Sequence, residues 1–109
     1  PKRNKMFKSI LKLLGLYDDT NYKDLVKSGA VIIDVRTKSE FNSGHIKGAI
    51  NMPLNDLSNQ LNKLKKYKAI ITCCASGMRS ASAKSLLSSK GYNVYNGKAW
   101  HQLNRKLSA

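Results

Sequence analysis

The sequence predicts an α/β domain with a central, mainly parallel sheet and helices on both of its faces. Three observations carry that expectation. Apolar runs at residues 30–35 and 70–74 are nearly continuous and rich in Val and Ile, as in strands buried on both faces. Segments of helical periodicity separate such runs along the chain, the pattern of a parallel sheet. The second run also passes through a tight polar loop into the small residues Ala81 and Ser82, which open a helical pattern.

The elements follow in order. Residues 1–5 are a basic tail, and Met6, Phe7, Ile10, Leu11, Leu13 and Leu14 repeat at helical spacing around Lys8, Ser9 and Lys12, with Gly15 as a C-terminal cap. This tail and short amphipathic helix fill residues 1–16, ahead of a domain at 17–109. The helix is expected to pack on its own domain, because a helix so short draws its stability from tertiary contacts. An interfacial helix with its lysines toward lipid headgroups is the alternative. Lys12 interrupts the apolar part and no small-residue cleavage site follows, which argues against a secretory signal.

Residues 18–28 read as a helix with Asp19, Thr20 or Asn21 as N-cap, Leu25 and Val26 as its apolar contacts, and Gly29 as its stop. The strand at 30–35 follows, then a short helix at 39–43 that Gly44 ends and a short strand at 49–51 before Pro53. Leu54, Leu57, Leu61 and Leu64 predict an amphipathic helix over 54–64, with residues 65–68 as its solvated exit. After the strand at 70–74, a helix over 79–90 buries Ala83, Leu86 and Leu87, and Gly91 caps it. Residues 92–95 form the last strand and 98–107 a terminal helix.

Composition narrows the function. No apolar run reaches eighteen residues, so no membrane-spanning helix is expected. Two adjacent cysteines make a poor disulfide framework and point to a reducing compartment, the cytoplasm, or the periplasm if a signal peptide precedes this sequence. Neither cysteine joins a second Cys-x-x-Cys or a His cluster, so no metal is expected. Twenty Lys and Arg against six Asp and Glu give a net charge of +14, which attracts anions of every kind. The lysines are dispersed and no nucleic-acid motif accompanies them, so nucleic acid is not the expected partner.

Chemistry concentrates at 70–81. A strand, a tight loop and a helix start aim backbone N–H groups at an anion, and the positive end of the helix favours thiolate over thiol. Cys74 stands at that strand end, and Arg79 adds a full positive charge to the loop. Gly77 is read as a position of positive φ or close backbone approach, and Ser76 and Ser80 as helix caps.

Cys74-Ala75-Ser76-Gly77-Met78-Arg79-Ser80 resembles the active-site loop of single-domain rhodaneses, which are sulfurtransferases, in its Cys-x-x-Gly-x-Arg-Ser form. Asp34-Val35-Arg36, Glu40-Phe41 and Gly44-His45-Ile46-Lys47-Gly48-Ala49 resemble that family's first signature, and Gly91-Tyr92-Asn93-Val94-Tyr95 with Gly97-Lys98-Ala99-Trp100 its last segment. The resemblance covers roughly residues 20–107 and implies a five-stranded sheet, whose first strand falls near Leu16-Tyr17. It implies a Cys74 thiolate that takes sulfur from a small anionic donor such as thiosulfate. The persulfide is held by N–H groups of Ala75, Ser76, Gly77, Met78, Arg79 and Ser80, without metal or organic cofactor. A monomer is expected, with an acidic protein as a further partner.

Three points stay open at this stage. Arg79 either binds the donor's anionic end or braces the loop by bonding its carbonyls. Asp34, Arg36, Glu40 and His45 read as mainly structural, with Arg36 and Glu40 four apart and able to pair, and Arg36 the one expected to reach substrate. Asn96-Gly97 departs from the Gly-Gly pair common in the family, while Trp100 and His101 are read as packing and surface. Two rival functions remain. Counted from Cys73, the loop is Cys-x5-Arg-Ser, which resembles cysteine-dependent phosphatases of the same fold; Thr72 in place of their usual His, and the absence of a loop acid, oppose it. The other rival is a sulfur-relay or interaction module served by a partner protein rather than by thiosulfate.

Overall fold

The computed structural model describes residues 2–13 and 18–109. Among these, four strands form one sheet in the order β2-β1-β3-β4: β1 is Val31–Asp34, β2 Ile50–Asn51, β3 Ile70–Cys74 and β4 Val94–Ala99. Every neighbouring pair is parallel, as the buried apolar runs predicted. The described sheet thus has four strands where five were expected, and the expected place of the fifth, Leu16-Tyr17, lies outside the described residues, as does Gly15.

Alternation along the strands divides the core in two. Val31, Ile33, Val35, Ile70 and Cys74 pack on one face with Leu57, Leu64, Ala83 and Leu87. Ile32, Ile71 and Cys73 pack on the other with Tyr22, Ile46 and Leu103. Each fully buried aliphatic side chain contributes about 1.5–3 kcal/mol. The same alternation sends the two adjacent cysteines to opposite faces of the sheet.

The flanking helices are α2, Tyr22–Lys27, and α5, Trp100–Ser108, on the Cys73 face, and α4, Met78–Ser89, on the Cys74 face. Asn21 caps α2, its side chain accepting the Asp24 N–H at 3.1 Å. Val26, expected to pack, is exposed, and Tyr22 and Leu25 make the contact instead. Helix α3, Lys38–Ser43, is closed by a reciprocal cap between Thr37 and Glu40 and ends at Gly44.

The helix expected over 54–64 is two 3₁₀ turns, Leu54–Asn59 and Leu61–Leu64. Within each turn the leucines are three apart, which suits three residues per turn better than 3.6. At the break, the Asp56 carboxylate accepts the side-chain amides of Asn59 and Gln60 at 3.2 and 2.7 Å. β4 starts two residues later and runs farther than predicted, and α5 starts later with it. The cause is an irregularity where β4 passes β3: Thr72 lies opposite Asn96, but Cys74 opposite Ala99. The extra residue is accommodated by Lys98 at φ 66°. Gly97 makes room for it, since a Cβ there would stand 2.8 Å from the Thr72 carbonyl oxygen and from Leu103.

Helix α1, Lys2–Leu13, covers the predicted repeat but begins inside the stretch expected to be a tail, and Met6, Phe7, Ile10 and Leu13 are all exposed. The expected docking of this face is therefore corrected. Both faces of the sheet are already covered, by α4 and the 3₁₀ turns on one side and by α2 and α5 on the other.

Candidate active site

β3 ends at Cys74, at the carboxyl edge of the sheet where parallel α/β domains bind ligands. Gly77, at φ +109°, turns the chain from the loop into α4, a conformation that costs glycine nothing. Gly77 occupies the N-cap of α4 and has no side chain to satisfy the first-turn amides. Cys74 fills that place. Its Sγ accepts the N–H groups of Gly77 at 3.0 Å and Ser80 at 3.3 Å. The Ser76 amide and the Ser80 hydroxyl are also turned to it.

Charge follows geometry. Burial raises the Cys74 pKa, but hydrogen bonds from Ser80, Gly77 and Ser76 outweigh it and hold the thiol below its ordinary 9.0. The positive end of α4 acts in the same direction. Cys73 has the opposite environment. Burial, with Asp34 beside it, pushes its thiol far up, and its side chain lies in the other core against α2 and α5. The phosphatase register needs the nucleophile at the centre of the N–H ring, and Cys73 is not there.

A polar brace runs beneath the loop. The Thr72 hydroxyl donates to the Ser80 carbonyl at 3.0 Å. Ser80 Oγ lies 2.9 Å from the Gly77 carbonyl and 2.7 Å from Asn96 Oδ1, which also accepts the Lys98 N–H at 2.9 Å. Ser80 is thus more than a cap, its hydroxyl tying the Gly77 carbonyl to the Asn96 side chain. The Asn96 side chain holds Lys98 in its left-handed conformation.

Arg79 does not brace the loop by bonding its carbonyls; it is held by Glu40. It forms a two-pronged pair with Glu40, Nη1 to Oε1 at 2.7 Å and Nη2 to Oε2 at 3.0 Å, tying the loop to α3. Arg79 and the Thr37 amide together hold the Glu40 carboxyl down to about 2. Arg36 is corrected as a substrate contact. It is 4% exposed, and each of its three guanidinium nitrogens has a partner. It reaches both Asp34 oxygens at 2.8–3.1 Å, the Gly44 carbonyl at 2.7 Å and the Glu40 carbonyl at 3.3 Å. It also lies over the Trp100 ring at 4.6 Å. The Arg36–Glu40 side-chain pair does not form, because Glu40 turns to Arg79. His45 is a turn residue as expected, with Nδ1 2.7 Å from the Phe41 carbonyl and its ring stacked on Phe41.

Cys74 is fully buried in this arrangement, while Ala75, Ser76 and Met78 are exposed above it. No group of three His, Cys, Asp or Glu among the described residues is placed to hold a metal. Sequence reasoning placed Asn96 or Gly97 at the same pocket mouth as Cys74, but missed Thr72 as part of the site and Glu40 as the partner of Arg79. A polar Thr within an apolar run was the available signal for Thr72. The Glu40–Arg79 pair, 39 residues apart, left none.

The fold and loop define a class: a parallel α/β domain that presents a nucleophilic cysteine at a helix start. The chain belongs to the rhodanese-like domain family, whose model matches residues 18–98. It is 33% identical to a tRNA sulfurtransferase of Thermoplasma acidophilum across 87% of this chain and 19% of that protein. It is 31% identical to the thiosulfate sulfurtransferase GlpE of Shewanella oneidensis, covering 67% of this chain and 77% of that one. Among solved structures, it resembles reduced Bacillus anthracis CoADR-RHD at 37% identity and TM-score 0.67, covering 77% of this chain and 15% of that one. A rhodanese with anions from E. coli gives 30% identity and TM-score 0.62, over 67% and 89% of the two chains. The chain spans only about a fifth of the first of these relatives, and 60% of the Bacillus subtilis protein YqhL, to which it is 38% identical over 65% of its own length.

Proposed function

We propose that this chain is a sulfurtransferase that carries a sulfane sulfur as a persulfide on Cys74. The observation behind this is the pair of amides, Gly77 and Ser80, that converge on Cys74 Sγ and hold negative charge there. With thiosulfate, the thiolate attacks the outer sulfur. A new S–S bond forms to Cys74, the bond to the sulfonate sulfur breaks, and sulfite leaves with the electron pair. The charge moves one atom outward, onto the terminal sulfur. A nucleophilic acceptor such as cyanide or a thiol then attacks that sulfur, and the Cys74 thiolate departs into its N–H ring. The covalent persulfide does the carrying, so no metal or organic cofactor is required.

The donor must part the loop, since Cys74 is buried beneath it. The loop's only cation is also paired with Glu40, so a sulfonate competes with a carboxylate for Arg79. That pairing favours a persulfide donor presented by a protein or small thiol over thiosulfate, and the +14 charge suits an acidic donor protein. The thiosulfate sulfurtransferase and the putative sulfur carrier protein YrkF of Bacillus subtilis, 33% identical over 56% of this chain, support both donor classes.

The test is intact mass and peptide mapping under non-reducing conditions after treatment with thiosulfate or with glutathione persulfide. One added sulfur on Cys74, absent in Cys74→Ser and retained in Cys73→Ala, is expected. A persulfide on Cys73 alone, or none with either donor, overturns the reading. Hydrolysis of an aryl phosphate that depends on Cys73 would instead establish the phosphatase.

A further inference from the structure

Four of the six exposed large apolar side chains among the described residues belong to one helix. In α1, Met6 is 69% exposed, Phe7 61%, Ile10 50% and Leu13 87%. Their spacing places them on a single face. A twelve-residue helix is marginal in water, and a contiguous exposed apolar stripe marks a surface meant to be covered. The rest of this domain does not cover it, because both faces of the sheet have their own helices.

The charge on the same helix identifies what does. The sequence of α1, KRNKMFKSILKL, holds five Lys or Arg and no acid. The whole chain is also basic, at +14. An apolar stripe on a helix whose only charged residues are cations matches a surface that is hydrocarbon within and negatively charged at its rim. A nucleic acid offers the charge but no apolar layer for Met6, Phe7, Ile10 and Leu13. A second copy of this helix offers the apolar face but sets cations against cations.

We propose that α1 is an interfacial membrane anchor that binds the surface of an anionic phospholipid bilayer. Met6, Phe7, Ile10 and Leu13 enter the boundary between headgroups and acyl chains, and the lysines remain among the lipid phosphates. Five cations in twelve residues exclude burial of this helix across the hydrocarbon core. It therefore lies in the plane of the surface. The proposal is independent of Cys74 chemistry.

The test uses the full chain in co-sedimentation with two kinds of vesicle, phosphatidylcholine alone and phosphatidylcholine with phosphatidylglycerol. Binding to the anionic vesicles is expected to be at least tenfold tighter than to the neutral ones and to weaken as salt rises. The double variant Phe7→Ser/Ile10→Ser should lose at least tenfold of that binding with Tm and sulfur transfer in solution unchanged. Equal binding by the variant would mean that charge alone attracts the lipid, and the anchor is overturned. It is also overturned by no binding to anionic vesicles, by a fall in Tm of the variant, or by a dimer that the variant dissolves.

Discussion

Removing Arg36 from beneath the loop separates a structural role from a substrate-binding one. In the fold this guanidinium makes three contacts of 2.8–3.1 Å with the Asp34 carboxylate, which is fully buried. Arg36→Met takes away all three and leaves Asp34 with the single N–H of residue 36 at 3.0 Å. An uncompensated buried carboxylate of this kind costs about 3–5 kcal/mol. At about 4–8 °C per kcal/mol in a domain of this size, Tm should fall by more than ~10 °C. The loss belongs to the orphaned charge rather than to the missing arginine. Asp34→Asn/Arg36→Met should therefore recover most of it, since Asn can still accept the N–H of residue 36. Thermal unfolding of the wild type, both single variants and the double variant closes the cycle. Sulfur transfer per folded molecule, measured well below each Tm, should keep its KM for the donor. An Arg36→Met protein that melts within ~2 °C of wild type but shows a raised KM would refute the structural assignment and return Arg36 to the substrate.

Other perturbations follow from the same geometry. Sulfur transfer should fall as pH drops through a Cys74 pKa below 9.0, and thiolate absorbance near 240 nm should fade with the same midpoint; Glu40, ionised down to about 2, cannot supply that limb. Because the Cys74 pKa is lowered by folding, its contribution to stability is complete above the unfolded thiol value and is lost as pH falls through the folded one. Cys74→Ser should remove that part of the stability–pH curve. Glu40→Gln should free Arg79 and lower the KM for thiosulfate a few-fold while leaving glutathione persulfide unaffected; an unchanged ratio between the two donors would deny Glu40 any part in donor choice. Gly97→Ala should cost about 1–3 kcal/mol in chemical denaturation, because one of the atoms its Cβ meets at 2.8 Å is the backbone oxygen of Thr72, which cannot move without disturbing β3.

The sequence by itself determined what short-range physics controls. The apolar runs at 30–35 and 70–74 specify strands buried on both faces, so the parallel sheet was legible without coordinates. Alternation along β3 was enough to send Cys73 and Cys74 to opposite sides, and the spacing to Gly77 was enough to bring the Cys74 sulfur to the loop's N–H groups. Each of these depends on residues within a few positions of one another, where propensity and periodicity act. The tertiary structure decided whatever depends on distance through space. Arg79 pairs with a side chain rather than with the loop's carbonyls because the fold carries Glu40, 39 residues away, to within 2.7 Å. Arg36 became a frame residue because Asp34, Gly44 and Trp100 converge on it and leave it only 4% exposed. The step in β4 at Asn96, Gly97 and Lys98 arises from its pairing with β3 and is absent from either segment alone. The apolar periodicity of α1 correctly announced a helix with an apolar face, but periodicity is a property of one helix, and only the tertiary structure shows that this face stays exposed on the domain.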